Sequence, residues 1–124
     1  MIIFAQAERN YYDDYFSNFN KVDIEYNRIV YPTVEHAYQA QKTTDRILKQ
    51  TIADALTPGL AKRYGQRVQL RRDWDDIKYK VMIKCLRQKF QVPKYRDVLL
   101  ATGTEELAEE AAAWNDKVWG LGKN

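Results

Sequence analysis

The stretch "YPTVEHAYQAQK", Tyr31 to Lys42, sets an acid and the chain's single histidine where a helix should open. Residues three and four apart share a helix face. Glu35, Tyr38, Gln39 and Lys42 therefore bring a carboxylate, a phenol, an amide and an amine into one sector. Val34, Ala37 and Gln41 line the neighbouring sector, which should pack inward. A carboxylate near an amine can move a proton or stabilise a cationic centre. Two readings of Glu35 stand side by side: an acid at a pocket, or a charge that the helix dipole favours in the first turn. His36 reads either as a core histidine with both ring nitrogens satisfied or as a ligand contact.

Three further places hold usable chemistry. Ser17-Asn18-Phe19 lies in a segment crowded with aromatics. An asparagine can donate to and accept from a ligand, and aromatic rings can stack on a base. An Asx turn with aromatic core anchors would use the same residues. Trp114 and Trp119 flank Asp116, with Gly120 and Gly122 following, a composition that fits a pocket wall or a docked tail. Thr57-Pro58-Gly59 should expose helix N-terminal amides, which suit a phosphate.

The elements that must position these groups are mostly helical. "MIIFA" reads as a short strand and "YYDDYFSNFN" as a loop. "VDIEYNRIVYP" alternates around Asn27-Arg28 and predicts a hairpin. Thr33 offers a hydroxyl N-cap for a helix running to about Thr44. Asp45 should cap the next, with Ile47, Leu48, Ile52 and Leu56 at core spacing. Thr57-Pro58 caps a short helix ending near Gly65. A long helix follows from about Asp73, carrying Trp74, Ile77, Val81, Cys85 and Leu86 on one side. Pro93 opens another, with Tyr95, Val98 and Leu99, ending at Gly103. Thr104 should cap a last, acidic helix.

A length of 124 residues suits one domain with a single modest core. The expected class is mainly α: a single compact helical domain over 1–124 with a small N-terminal β element. One cysteine, Cys85, excludes an intramolecular disulfide and suits a reducing cytoplasm, the expected location. With one His and one Cys, zinc-finger chemistry is excluded; no metal and no cofactor are expected. No apolar run approaches a bilayer span, so no membrane partner is expected. The net charge of +3 hides a gradient. Residues 62–96 hold 12 basic and 3 acidic side chains, against 6 and 8 before them and 2 and 6 after. This basic middle can attract phosphates, or be a solvated helix face.

Taken in order, "FSNF", "YPTVEHAYQAQK", "TPGLAKRYGQRV", "RRDWDDIKYKVMIKCLRQKF", "LLATGTEELAE" and "DKVWGLG" resemble the NADAR, or YbiA-like, family. The resemblance runs from about Phe4 to Asn124. It implies a mainly α fold and an N-glycosidase that cleaves ribose C1 from an exocyclic amine. The implied substrate is ADP-ribosylated guanine in nucleic acid or a small ribosylamine, a ribosylaminopyrimidine of the riboflavin pathway. A non-catalytic module that binds ADP-ribose or an NAD derivative is the alternative. Matched to the family's blocks, Glu35, Lys62 and Asp116 are the expected catalytic residues. Asn18, Phe19, His36, Gln39, Arg63, Trp119 and Gly120 are the expected substrate contacts. The chain departs from the family pattern in two places. "YFSNFNK" lacks a leucine, a tyrosine and a proline of the usual loop, and the usual further helix beyond the Trp-Gly-Leu-Gly region is lacking. A monomer is expected, with an oligomer possible because of that short end.

Overall fold

The computed structural model describes residues 2–4, 10–103 and 107–109. Six helices surround a two-stranded hairpin, and a second strand pair ties the first element to the last. In chain order these are β1 (Ile2–Phe4), α1 (Asp13–Phe16), β2 (Lys21–Tyr26), β3 (Ile29–Thr33), α2 (Val34–Ala40), α3 (Arg46–Ala53), α4 (Pro58–Arg67), α5 (Trp74–Lys89), α6 (Pro93–Ala101) and β4 (Leu107–Glu109). The mainly α class with a small β element is what the sequence predicts.

The hairpin forms where alternation places it. Ile24 faces Tyr31 and Tyr26 faces Ile29 in antiparallel register. Val22, Ile24, Ile29 and Tyr31 point into the core. The two-residue turn requires a left-handed backbone at both positions, with φ of 50° at Asn27 and 70° at Arg28. Asparagine tolerates that region, and arginine occupies it at a cost.

Two helix starts follow their predicted caps: the Asp45 carboxylate accepts from the amides of Ile47 and Leu48, and Thr57 Oγ1 from that of Leu60. Helix α5 presents Trp74, Val81 and Cys85 to the main core, with Ile77 and Leu86 partly covered. Burial raises the Cys85 thiol to about 12, so the one cysteine is an inert core residue. Helix α6 starts at Pro93 and is followed by Gly103 at φ +60°.

Four expectations need correction. The "YYDDYFSNFN" segment is not all loop, since α1 forms a single helical turn. Asn10 and Asp13 set that turn by reciprocal bonds, Asn10 N to Asp13 Oδ2 at 2.7 Å and Asp13 N to the Asn10 carbonyl at 3.1 Å, and Asn10 Oδ1 also accepts from Tyr12 N at 2.9 Å. Helix α2 stops at Ala40, short of Thr44, where i→i−3 bonds tighten the chain and the Lys42 carbonyl accepts from Arg71 N at 2.8 Å. On α3 only Ile52 of the four expected core residues is buried, whereas Ile47 and Leu56 are 78% and 93% exposed. The helix is turned to bury Lys49, whose ammonium donates to Gln41 Oε1 at 2.8 Å. Finally, the expected acidic helix after Gly103 is replaced at 107–109 by β4, which pairs in parallel with β1, Ile2 opposite Leu107. Thr104 lies outside the described residues.

Candidate functional site

The site is assembled at the start of α2. Thr33 is its N-cap, with Oγ1 accepting from His36 N at 3.0 Å. The amide of Glu35, a second free donor of the first turn, donates to the Asn18 carbonyl at 3.0 Å. The Ser17–Asn20 loop is thus joined to the residue that carries the candidate acid. Within the loop, Ser17 Oγ accepts from Phe19 N at 3.1 Å, and Asn20 Nδ2 donates to the Asp13 carbonyl at 2.9 Å. Asn18 is half-buried and the Phe19 ring is 46% exposed. An asparagine and an open aromatic face therefore stand beside the helix start.

Glu35 is 8% exposed, and its Oε2 accepts from Gln39 Nε2 at 2.6 Å. The other end of Gln39 explains how α4 joins the site. Gln39 lies against the backbone of Gly65, where an added Cβ would sit 2.8 Å from Gln39 Cβ and closer still to the amide oxygen. Only glycine permits that approach of α2 and α4. Gln39 Oε1 is buried and has no hydrogen-bond partner among the described residues. The amide is held by shape and by Glu35, with an acceptor left over.

The approach also places lysines. Burial lowers the Lys42 amine below the ordinary lysine range; Glu35 opposes that shift, and the charge of Lys62 on α4 adds to it. Lys42, just past the end of α2, therefore feels both the Glu35 carboxylate and the Lys62 amine of α4. Lys42 and Lys62 are each partly buried, and Arg63 beside them is exposed. Among the described residues no group of three His, Cys, Asp or Glu converges on a point that could hold a metal.

Some expected residues take other places. His36 is 1% exposed, with Nδ1 2.8 Å from Thr33 Oγ1 and Nε2 3.0 Å from the Ala55 carbonyl. Both ring nitrogens are occupied, so the expected substrate contact from His36 gives way to a role in fixing the helix start. Burial lowers its pKa despite the Ala55 hydrogen bond, which favours the neutral ring. Tyr38 packs edge-on to Trp74 at 5.1 Å and belongs to the helix packing. Asp116, Trp119 and Gly120 lie outside the described residues.

Two residues escaped the sequence reading of the site, and a third, Lys42, falls on the Glu35 face but outside its catalytic set. Gly65 reads as a helix end, although α4 continues to Arg67 and the glycine serves the contact with Gln39. Lys42 stands seven residues after Glu35, two helical turns along the same face, a spacing that could have added it to the catalytic set. Lys89 follows Val81 and Cys85 at intervals of four on the buried side of α5, and a lysine on an apolar stripe is itself a signal.

The chain matches the NADAR domain over residues 3–124. It is 40% identical over 120 residues to the N-glycosidase YbiA of Escherichia coli (strain K12), covering 90% of this chain and 75% of that protein. A riboflavin biosynthesis protein of Vibrio vulnificus is 35% identical over 129 residues, covering 99% of this chain and 35% of that one. The NMR structure of Escherichia coli YbiA is similar, with a TM-score of 0.78 at 37% identity, covering 96% of this chain and 70% of that one. Helical fold, hairpin and sequence agree: the chain belongs to the NADAR family. Kinship of this order supports glycosidase activity for it. No helix among the described residues is long and apolar enough to cross a membrane.

Proposed function

We propose that the chain is an N-glycosidase that hydrolyses the bond between ribose C1 and an exocyclic amine, with Glu35 and a neighbouring lysine as its working groups. The observation that carries this reading is the nearly buried Glu35 carboxylate, oriented by Gln39, with Lys42 within its electrostatic reach and Lys62 within that of Lys42. The proposed substrates are ADP-ribosylated guanine and a ribosylaminopyrimidine, both of which carry phosphate and the same C1–N linkage. Naming of relatives as N-glycosidases and as a riboflavin biosynthesis protein supports the class.

The sugar ring of such an aminal opens to an iminium at C1. A neutral lysine amine adds to C1, the base leaves with its nitrogen and a proton, and a lysine Schiff base remains. Water then adds to C1, releasing the sugar and regenerating the amine. Glu35 carries the proton between these steps and stabilises positive charge at C1. Lys62 is the amine the family resemblance implies. Lys42 is the rival, because its burial favours the neutral form that attack requires. Asn18 and Phe19 would hold the base, and Arg63 a phosphate. Asp116 and Trp119 remain assigned by resemblance.

The test is turnover. Purified protein is incubated with a guanine-ADP-ribosylated oligonucleotide and, separately, with the ribosylaminopyrimidine. Release of ADP-ribose from the oligonucleotide, or of ribose phosphate from the ribosylaminopyrimidine, supports the reading and selects the substrate. Tight binding of both without release would make the chain a binding module instead.

A further inference from the structure

Among the described residues Lys89 is the one lysine with no exposed surface, 0% by area, and it stands at the last turn of α5. Its ammonium donates to the Ser17 carbonyl at 2.8 Å and to Asn20 Oδ1 at 2.9 Å. The rings of Tyr95 and Phe90 stand 4.8 and 5.3 Å from the nitrogen. Among the described residues no carboxylate pairs with it. A methionine would fill similar volume without the cost of burying an amine of this kind. What the lysine adds is direction: two hydrogen bonds from the last turn of α5 into one loop.

That loop is the one whose Asn18 carbonyl accepts from the Glu35 amide. We propose that Lys89 is a positioning residue for Glu35: it locks the Ser17–Asn20 loop, and the locked Asn18 carbonyl fixes where helix α2, and with it the acid, begins. The inference rests on the glycosidase reading for its consequence in catalysis, and on geometry alone for the coupling of loop and helix. Tyr95 supports the same arrangement by donating from its hydroxyl to the Lys21 carbonyl at 2.7 Å, at the other end of the loop.

The test compares Lys89→Met and Asn20→Ala in the full chain. Amide hydrogen exchange is followed by NMR at Glu35 and, as a control on α4, at Leu60, whose amide is capped by Thr57 Oγ1. The expected result is exchange at Glu35 faster by about tenfold or more in either variant, with Leu60 close to wild type. Turnover of the N-riboside should lose about tenfold or more in kcat, with KM within about twofold, because an acid is misplaced and substrate contacts are not. Asn20→Ala removes one acceptor of Lys89, and with it the loop's bond to the Asp13 carbonyl, without changing Lys89 itself, so it decides the matter if Lys89→Met does not fold. Unchanged Glu35 exchange in a folded variant, or a raised KM at wild-type kcat, would overturn the proposal. A wild-type chain that turns over no N-riboside would remove the glycosidase reading, and the exchange comparison would still decide the coupling.

Discussion

Gln39 and Gly65 touch side chain to backbone, and through that contact α4 meets the helix that carries Glu35. Gly65→Ala should therefore act twice. The added methyl overlaps Gln39, and overpacking of this kind costs about 1–3 kcal/mol. Displacing Gln39 also frees the Glu35 carboxylate from its partner, so turnover should fall further than stability explains. Urea denaturation and kcat measured on the same preparation check both. Wild-type stability would mean that α2 and α4 separate at little cost.

Glu35→Gln keeps the shape and an acceptor for Gln39 Nε2 while removing the charge. Turnover should be lost and stability should change by no more than about 1 kcal/mol. Thermal unfolding and a single-turnover assay are the measurements. A Gln variant with wild-type turnover would exclude Glu35 from the chemistry.

The lysines can be told apart by trapping. Borohydride added during turnover should reduce the Schiff base, and peptide mapping should place the adduct on Lys62 or on Lys42. Replacing the trapped residue by arginine should abolish both adduct and turnover, since guanidinium stays protonated. Full activity in both Lys62→Arg and Lys42→Arg would leave direct hydrolysis as the mechanism.

Lys89 makes stability depend on pH in a defined window. Burial lowers its amine from the ordinary 10.5 to about 7. Between those values the unfolded chain binds a proton that the native state has released, so stability should rise with pH from about 7 to 10.5. Below that window the Lys89 contribution is flat and unfavourable. Urea midpoints for wild type and Lys89→Met at pH 7 and pH 10 should converge or cross, the variant lacking this part of the slope. Parallel pH profiles would show that the lysine titrates normally in the fold.

Arg28 sits at φ 70° in the hairpin turn, where a side chain is disfavoured. Arg28→Gly should stabilise the protein by about 1 kcal/mol, because Asn-Gly is the favoured pair for such a turn. The strand β3 separates the turn from the helix that carries Glu35, so turnover should be unaffected. A lower melting temperature would mean that the arginine makes contacts worth more than its backbone strain.

Caps and alternation were legible because they are local. Thr33, Asp45 and Thr57 bond amides two or three residues away, and Ile24 and Tyr31 alternate with solvent-facing neighbours. The orientation of α3 was not, because its rotation is decided by the buried pairing of Lys49 with Gln41, eight residues back. Leucine and isoleucine at helical spacing gave the opposite face. In the site, Glu35 and Asn18 were found as separate motifs, while the bond joining them belongs to the fold. The role of Gly65 is a property of two helices meeting, and a single helix read alone offers only a breaker. β4 was missed for the same reason: its partner strand lies at the other end of the described chain.

That strand pair has a consequence for how the protein is made. Ile2, Phe4 and Phe16 form a small cluster of their own, with the Phe4 and Phe16 rings 5.7 Å apart. Ile2 finds its partner only at Leu107. In synthesis β1 precedes β4 and stays unpaired until the elements between them have followed. The contacts between them, long-range ones such as Lys89 to Ser17 included, can form before β1 closes on β4.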